Sequence, residues 1–211
     1  MTRIKWLLFF LPFIFLTCCY ANDASTTLNQ LLKNTQSIQA NFKETLLDKQ
    51  GQALQQTNGH LYLQTPGLFR WEADQPSQLM IANGNRLWIY DKDLEQVTIR
   101  AIGHEKGEAP ALLLSDAHPA LENTFQVSLQ EGSAPAIKKF TLVPKDKSSM
   151  YQSIELVFSG NQIQEMRLKD HLGHTTLIQF HNVKTNSKIP ASLFKFTQPK
   201  NVDVIDETKK H

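Results

Sequence analysis

The chain has 211 residues, with 22 Lys+Arg against 20 Asp+Glu, 41% hydrophobic and 20% charged. That balance belongs to folded globular domains and excludes wholesale disorder. It also excludes a nucleic-acid binder that works through a basic face, and the length suits one all-β domain or at most two small ones.

Arg3 and Lys5 precede an apolar run, Leu7 to Leu16, broken only by Pro12. The run is too short to cross about 30 Å of hydrocarbon as a helix. It reads as the core of a cleavable secretory signal peptide over residues 1–21, with Cys19 and Ala21 before the cut. Cleavage leaves residues 22–211 as a single domain and removes both cysteines, Cys18 and Cys19. Thiolate catalysis, zinc–cysteine sites and disulfide staples are then excluded together. An alternative is that Cys18 or Cys19 is the lipidated residue of a bacterial lipoprotein, which would make the protein anchored. Neither cysteine follows the small residue that such processing prefers.

Ser25 to Ile38 has the period of an amphipathic helix, with Leu28, Leu31, Leu32, Thr35 and Ile38 on one side and Ser25 as N-cap. From Ala40 the period becomes two. Strands are expected at 60–64, 68–72, 78–82, 86–91 and 96–100. Turn signals separate them: Asn58-Gly59, Thr65-Pro66-Gly67, Gln75-Pro76 and Asn83-Gly84. Pro110 followed by Ala111-Leu112-Leu113-Leu114 predicts a short central helix. Strands resume at 125–129, 138–143, 152–158, 162–169, 175–181 and 193–196, with further turns at Gly160-Asn161 and Leu172-Gly173.

Close-spaced strands without a βαβ rhythm indicate antiparallel pairing. Several strands carry apolar residues at consecutive positions: Leu68-Phe69 with Trp71, Leu79-Met80-Ile81, and Leu87-Trp88-Ile89-Tyr90. A sheet apolar on both faces must cover both. Helices are too few to cover a large open sheet twice, so a strongly curved sheet is expected, with helices and room for a ligand on its concave side. Phe69, Trp71, Met80, Trp88 and Tyr90 fit a packed core and an apolar pocket equally well.

Other chemistry is weakly represented. His171, His174 and His181 read as solvated turn and strand residues rather than metal ligands. Asp91, Asp93 and Glu95 resemble a charged hairpin tip more than a calcium loop. No nucleophile elbow, phosphate loop, dinucleotide fingerprint or zinc-protease motif is present, which points away from an enzyme and from any cofactor.

The chain resembles the outer-membrane lipoprotein carrier (LolA) family. The resemblance is carried by Gln39-Ala40-Asn41-Phe42, by Gly59-His60-Leu61-Tyr62-Leu63 with Pro66-Gly67-Leu68-Phe69-Arg70-Trp71, and by Ile81 to Asp91. Pro110 to Leu114, Phe194-Lys195-Phe196 with Pro199, and Val202 to Ile205 continue it. The resemblance implies an incomplete antiparallel β-barrel of about 10–12 strands with a lid of two or three helices over an apolar cavity. It implies a soluble periplasmic carrier that takes acylated lipoproteins from an inner-membrane ABC transporter (LolCDE) to an outer-membrane receptor (LolB). Leu61, Leu63, Phe69, Trp71, Met80, Trp88, Tyr90 and Leu113 are then expected to bind lipid, and Leu28, Leu31 and Leu112 to form lid undersides. The lipid-anchored receptor of the same fold and a periplasmic sensor or adaptor domain are the alternatives. One position departs from the family: an Arg that often precedes the Pro and latches the lid is Thr65 here, too short to span a comparable gap.

Overall fold

The computed structural model describes residues 23–101, 114, 121–131 and 136–208. The signal-peptide segment and Leu112 and Leu113 lie outside the described residues. Helix α1 spans Asp23–Lys33. Six strands follow: β1 (Ser37–Leu47), β2 (Ala53–Gln64), β3 (Leu68–Ala73), β4 (Gln78–Asn83), β5 (Arg86–Asp91) and β6 (Gln96–Ala101). A short helix α2 (Leu121–Thr124) leads into β7 (Phe125–Glu131), β8 (Ile137–Pro144), β9 (Tyr151–Ser159), β10 (Gln162–Asp170) and β11 (Thr175–Thr185). A 3-10 turn, Ala191–Phe194, precedes β12 (Asp203–Asp206).

All of these strands form one open, strongly curved 12-stranded sheet in the order β12-β6-β5-β4-β3-β2-β1-β11-β10-β9-β8-β7. Every pairing is antiparallel except β12 with β6, which is parallel. The long central strands β1, β2 and β11 are the spine: β1 pairs with β2 along its whole length and with β11 on its other side. Tight turns carry the chain from strand to strand. Gly67 (φ 65°) and Gly84 (φ 89°) occupy left-handed positions there that a side chain would strain.

The concave face holds the core. Along β1, Ile38, Ala40 and Phe42 point inward and are buried, while Asn41 is exposed, the two-residue period of a strand with one covered face. α1 lays Leu28, Leu31 and Leu32 against this surface, all buried. Leu114, Leu121, Phe140, Leu142, Leu156 and Met166 complete it from the β7–β10 half.

Three local expectations are corrected. The helix ends at Lys33, not Ile38. Thr35 turns its hydroxyl onto the Leu31 carbonyl (2.9 Å) and its amide onto the Leu32 carbonyl (3.0 Å), so the last turn tightens and stops. Ile38 is buried as the helical period required, but as an inward residue of β1. Asn58-Gly59 is not a turn; it lies inside β2, opposite Lys43 and Phe42 of β1. Residues 193–196 are not a strand, because Leu193 donates back to the Pro190 carbonyl (3.0 Å) and the chain coils into the 3-10 turn.

Candidate functional site

Residues directly opposite each other on neighbouring strands share a face. The register therefore builds two inward rows. One is Leu63, Phe69, Ala82 and Leu87; the other is Leu61, Trp71, Met80 and Ile89. Leu61, Leu63, Phe69 and Trp71 are buried, and Met80 and Ile89 are partly buried against them. Five of the expected lipid-binding residues are thus brought together on the concave face: Leu61, Leu63, Phe69, Trp71 and Met80.

Gly59 makes the centre of this surface possible. The Phe42 ring crosses β2 above Gly59 and stacks on Trp71, with centroids 3.6 Å apart and planes at 19°. A Cβ on Gly59 would fall 1.9 Å from the Glu72 carbonyl oxygen and 2.4 Å from Phe42 Cζ. Only glycine admits the ring. Phe69 stacks on the Trp71 ring at 6.4 Å, so the aromatic layer is continuous from β1 to β3.

Towards the hairpin end of the strands the concave face is not filled. A cavity of about 290 Å³ opens there. Phe69, Trp71 and Met80 form one wall, and Leu168 and Ile178 the facing wall. Its polar side carries Glu44, Gln55, Thr57, Tyr151 and Thr176. Glu44 stands opposite Thr57 and Ile178, at the inward parity that Ala40 and Phe42 begin. Burial raises the pKa of its carboxyl above the usual carboxylate value, because the charged form loses water. Burial also raises the Tyr151 phenol, helped by the charges of Glu44 and Asp170. Among the described residues the Glu44 carboxylate has no ion pair and no hydrogen bond. No sequence reading singled out Glu44, Tyr151, Leu168 or Ile178. For Glu44 the signal was available, since a carboxylate falls in step with inward-facing Ala40 and Phe42.

Trp88 and Tyr90 are placed elsewhere. Trp88 is opposite Ile81 and Tyr90 opposite Leu79, which puts both on the convex face, one residue out of step with Leu87 and Ile89. Trp88 stacks on Phe196 at 5.9 Å and Tyr90 meets the same ring edge-on at 6.4 Å. Arg70, on the same face, donates Nη1 to the Leu193 carbonyl (3.0 Å) and pairs with Glu72. The second apolar face is therefore covered by the chain's own C-terminal segment, and these two aromatics line its seam rather than the cavity.

The expected lid residues Leu28 and Leu31 lie buried under α1, over the part of the concave face away from the cavity. Thr65 does not reach across a gap. Its amide and hydroxyl both bond the Gln36 carbonyl, at 2.9 and 3.2 Å, fastening the joint between α1 and β1 to the β2–β3 turn.

His174 Nδ1 sits 3.0 Å from Asp170 and His171 Nε2 lies 3.1 Å from the Ser149 carbonyl, while His181 is exposed on β11. Asp91 accepts from the Asp93 and Leu94 amides at 3.0 Å, organising its turn. Among the described residues no three His, Cys, Asp or Glu side chains converge as metal ligands.

The family model of the outer membrane lipoprotein carrier protein LolA matches residues 33–197. An outer-membrane lipoprotein carrier protein of Pseudomonas fluorescens is 42% identical over 181 residues, covering 85% of this chain and 86% of that one. One from Pseudomonas aeruginosa is 39% identical over 191 residues, covering 89% and 91%. Among solved structures, an uncharacterized conserved protein from Thermus thermophilus superposes with a TM-score of 0.56 at 15% identity, covering 88% of this chain and 99% of that one. At that identity the likeness speaks for the fold alone.

Proposed function

The chain belongs to the outer membrane lipoprotein carrier family, and from this we propose that it shelters the acyl chains of lipoproteins in its concave cavity while they cross the periplasm. It would be exported by its N-terminal leader, loaded by an inner-membrane ABC transporter of the LolCDE type and unloaded onto a LolB-type receptor. The wall of Phe69, Trp71 and Met80 facing Leu168 and Ile178 is the observation that carries this reading.

The energetics explain why such a protein is needed. Each buried CH₂ is worth about 0.8 kcal/mol, so a 16-carbon chain exposed to water costs roughly 12 kcal/mol. Cargo of that kind does not leave a bilayer unaided. A curved sheet whose concave face is apolar and incompletely filled offers the tail a comparable environment. The cavity of about 290 Å³ lies at the lower edge of ordinary ligand pockets, roughly 300–1,000 Å³. Several acyl chains require more room, so loading requires α1 to move off the concave core. The contacts that hold it, Leu28, Leu31 and Leu32, are apolar and are replaceable by lipid of the same character. Release follows the same logic: cargo moves on only if the receptor offers a lower free energy than the carrier.

The test is release of lipoprotein from inner-membrane vesicles supplied with ATP and the purified protein. Native protein yields soluble carrier–lipoprotein complexes. Phe69→Glu, with native-like circular dichroism, yields none, because a carboxylate in the apolar wall carries an unpaired charge into the tail's place. Undiminished release by that variant would overturn the proposal.

A further inference from the structure

The corner between α1 and β1 is gripped by one side chain from a remote part of the chain. Asn186 follows β11 at a left-handed φ of 55°, a conformation asparagine adopts more readily than most residues. Its amide donates to the Ser37 carbonyl (2.9 Å), one residue beyond the Ile38–Thr185 pair of β1 and β11. Its side chain then spans the corner. Oδ1 accepts the Gln36 amide N–H at 2.7 Å, and Nδ2 donates to the Asn34 carbonyl at 2.9 Å. A carboxamide carries an acceptor and a donor on one short side chain, and here they hold the backbone on both sides of Thr35. The Asn34 carbonyl is of the kind that a helix C-terminus leaves without an internal partner.

The last turn of α1 is joined firmly to that corner. The Asn34 amide bonds the Gln30 carbonyl (3.0 Å), and Thr35 bonds the Leu31 and Leu32 carbonyls. The corner therefore sets the direction in which α1 leaves the sheet. For α1 to turn away, either this last turn or the Asn186–Asn34 bond must break. The second is the easier. Asn34, Gln36 and Asn186 are exposed, and the last two line an open polar cleft of about 620 Å³, so water replaces the lost partners at small net cost.

We propose that Asn186 is a positioning residue for cargo exchange: its bond to the Asn34 carbonyl holds α1 in its seat on the concave core, and breaking that bond frees α1 for loading. The inference rests on the carrier reading above and adds the residue that sets the balance between seated and open α1. The seated helix and an acyl tail compete for the same apolar surface. A residue that favours the seat lowers the fraction of molecules competent to bind, and with it the apparent affinity. It also favours the return of α1 as cargo leaves. Removing it should tighten binding, whereas removing a merely structural residue weakens binding or leaves it unchanged.

The experiment is fluorescence titration of the protein with an uncharged fluorescent palmitoyl ester, below its aggregation concentration. Asn186→Gly keeps the left-handed backbone and removes both side-chain bonds. It should bind the probe about fivefold more tightly than native protein, the factor that one hydrogen bond of ordinary net strength gives. Asn186→Asp keeps the acceptor for Gln36 but sets a carboxylate oxygen against the Asn34 carbonyl, and should gain at least as much. Ser187→Ala removes the acceptor of the Gln39 side chain (2.9 Å) on the sheet side of the same corner, and should bind as native protein does. Hydrogen exchange in the cargo-free protein should quicken along α1 in the two Asn186 variants and stay native in the β9–β10 hairpin. Unchanged or weaker binding by a folded Asn186→Asp or Asn186→Gly would overturn the inference and leave the carrier reading standing. Failure of native protein to bind the probe would remove the carrier reading itself.

Discussion

Strands β3 to β5 present two apolar faces, and the molecule treats them in opposite ways. On the convex face, Trp88 and Tyr90 are closed over by Phe196, Phe194 is buried, and Arg70 holds the Leu193 carbonyl. On the concave face, Phe69, Trp71 and Met80 keep a void beside them. The convex cover is part of the covalent chain and is tied by hydrogen bonds and by the β12–β6 ladder. The concave cover, α1, meets the core through Leu28, Leu31 and Leu32 in its second half. One face is sealed by the chain itself and the other keeps a void. A residue's parity along its strand decides which of the two it serves.

The largest expected effect comes from crowding the concave face at Gly59. Gly59→Val drives a side chain into the Glu72 carbonyl and the Phe42 ring, neither of which can shift without breaking the β2–β3 ladder or the Phe42–Trp71 stack. A loss of about 3 kcal/mol or more is expected from overpacking, read as the urea midpoint. A variant as stable as the native protein would mean that Phe42 has another place to go.

Next is a pure convex-face defect. Phe194→Ala should cost about 3 kcal/mol, as for a buried ring truncated in a core. Its lipoprotein-release yield per folded molecule should nevertheless stay near native. That outcome contrasts with Phe69→Glu, in which release is lost. Should Phe194→Ala abolish release while remaining folded, the two faces are coupled and the division above is wrong. A smaller effect is expected at the same seam from Arg70→Met, which removes the donor to Leu193 and the partner of Glu72. About 1 kcal/mol is the usual net value of such a hydrogen bond, seen in thermal unfolding, with release again retained.

The sequence and the structure diverge for physical reasons that can be named residue by residue. The strands were legible because apolar residues alternate in segments such as Tyr151–Ser159, where Ile154, Leu156 and Phe158 are buried, and because Gly84 and Gly173 punctuate the chain at positive φ. The need for curvature was legible too, from apolar pairs such as Leu87-Trp88. What such runs cannot tell is which member faces which way, since both neighbours are apolar. That is why Trp88 and Tyr90 were grouped with Phe69. Asn58-Gly59 misled for a related reason: glycine serves a turn through its φ and a strand through its missing side chain, and the dipeptide alone does not say which. The far wall of the cavity, Leu168, Ile178 and Tyr151, comes from strands remote in sequence. Only the pairing of β1 with β11 brings them opposite Trp71.

The smallest effect separates function from stability at a single carboxylate. Burial raises the folded-state pKa of Glu44 above the ordinary carboxyl value of 4.5. A carboxyl with a raised folded pKa favours the folded state fully below its unfolded pKa, and that contribution is lost as the pH rises through the folded value. The charged form of the native side chain therefore stands in a place that resists charge. Glu44→Gln is neutral at every pH and close in shape. It should raise the thermal midpoint at about pH 7 in the absence of cargo, with the gain shrinking as the pH falls through the raised folded-state value and gone below 4.5. Denaturation scans at neutral pH and at about pH 4 read the difference directly. A gain confined to the cargo-free protein at neutral pH would identify Glu44 as a residue retained against folding stability, the signature of a group whose partner arrives with the ligand. An unchanged or lower midpoint at neutral pH would mean that the fold already compensates this charge, and the contrast between a sealed face and an incompletely filled one would not extend to its electrostatics.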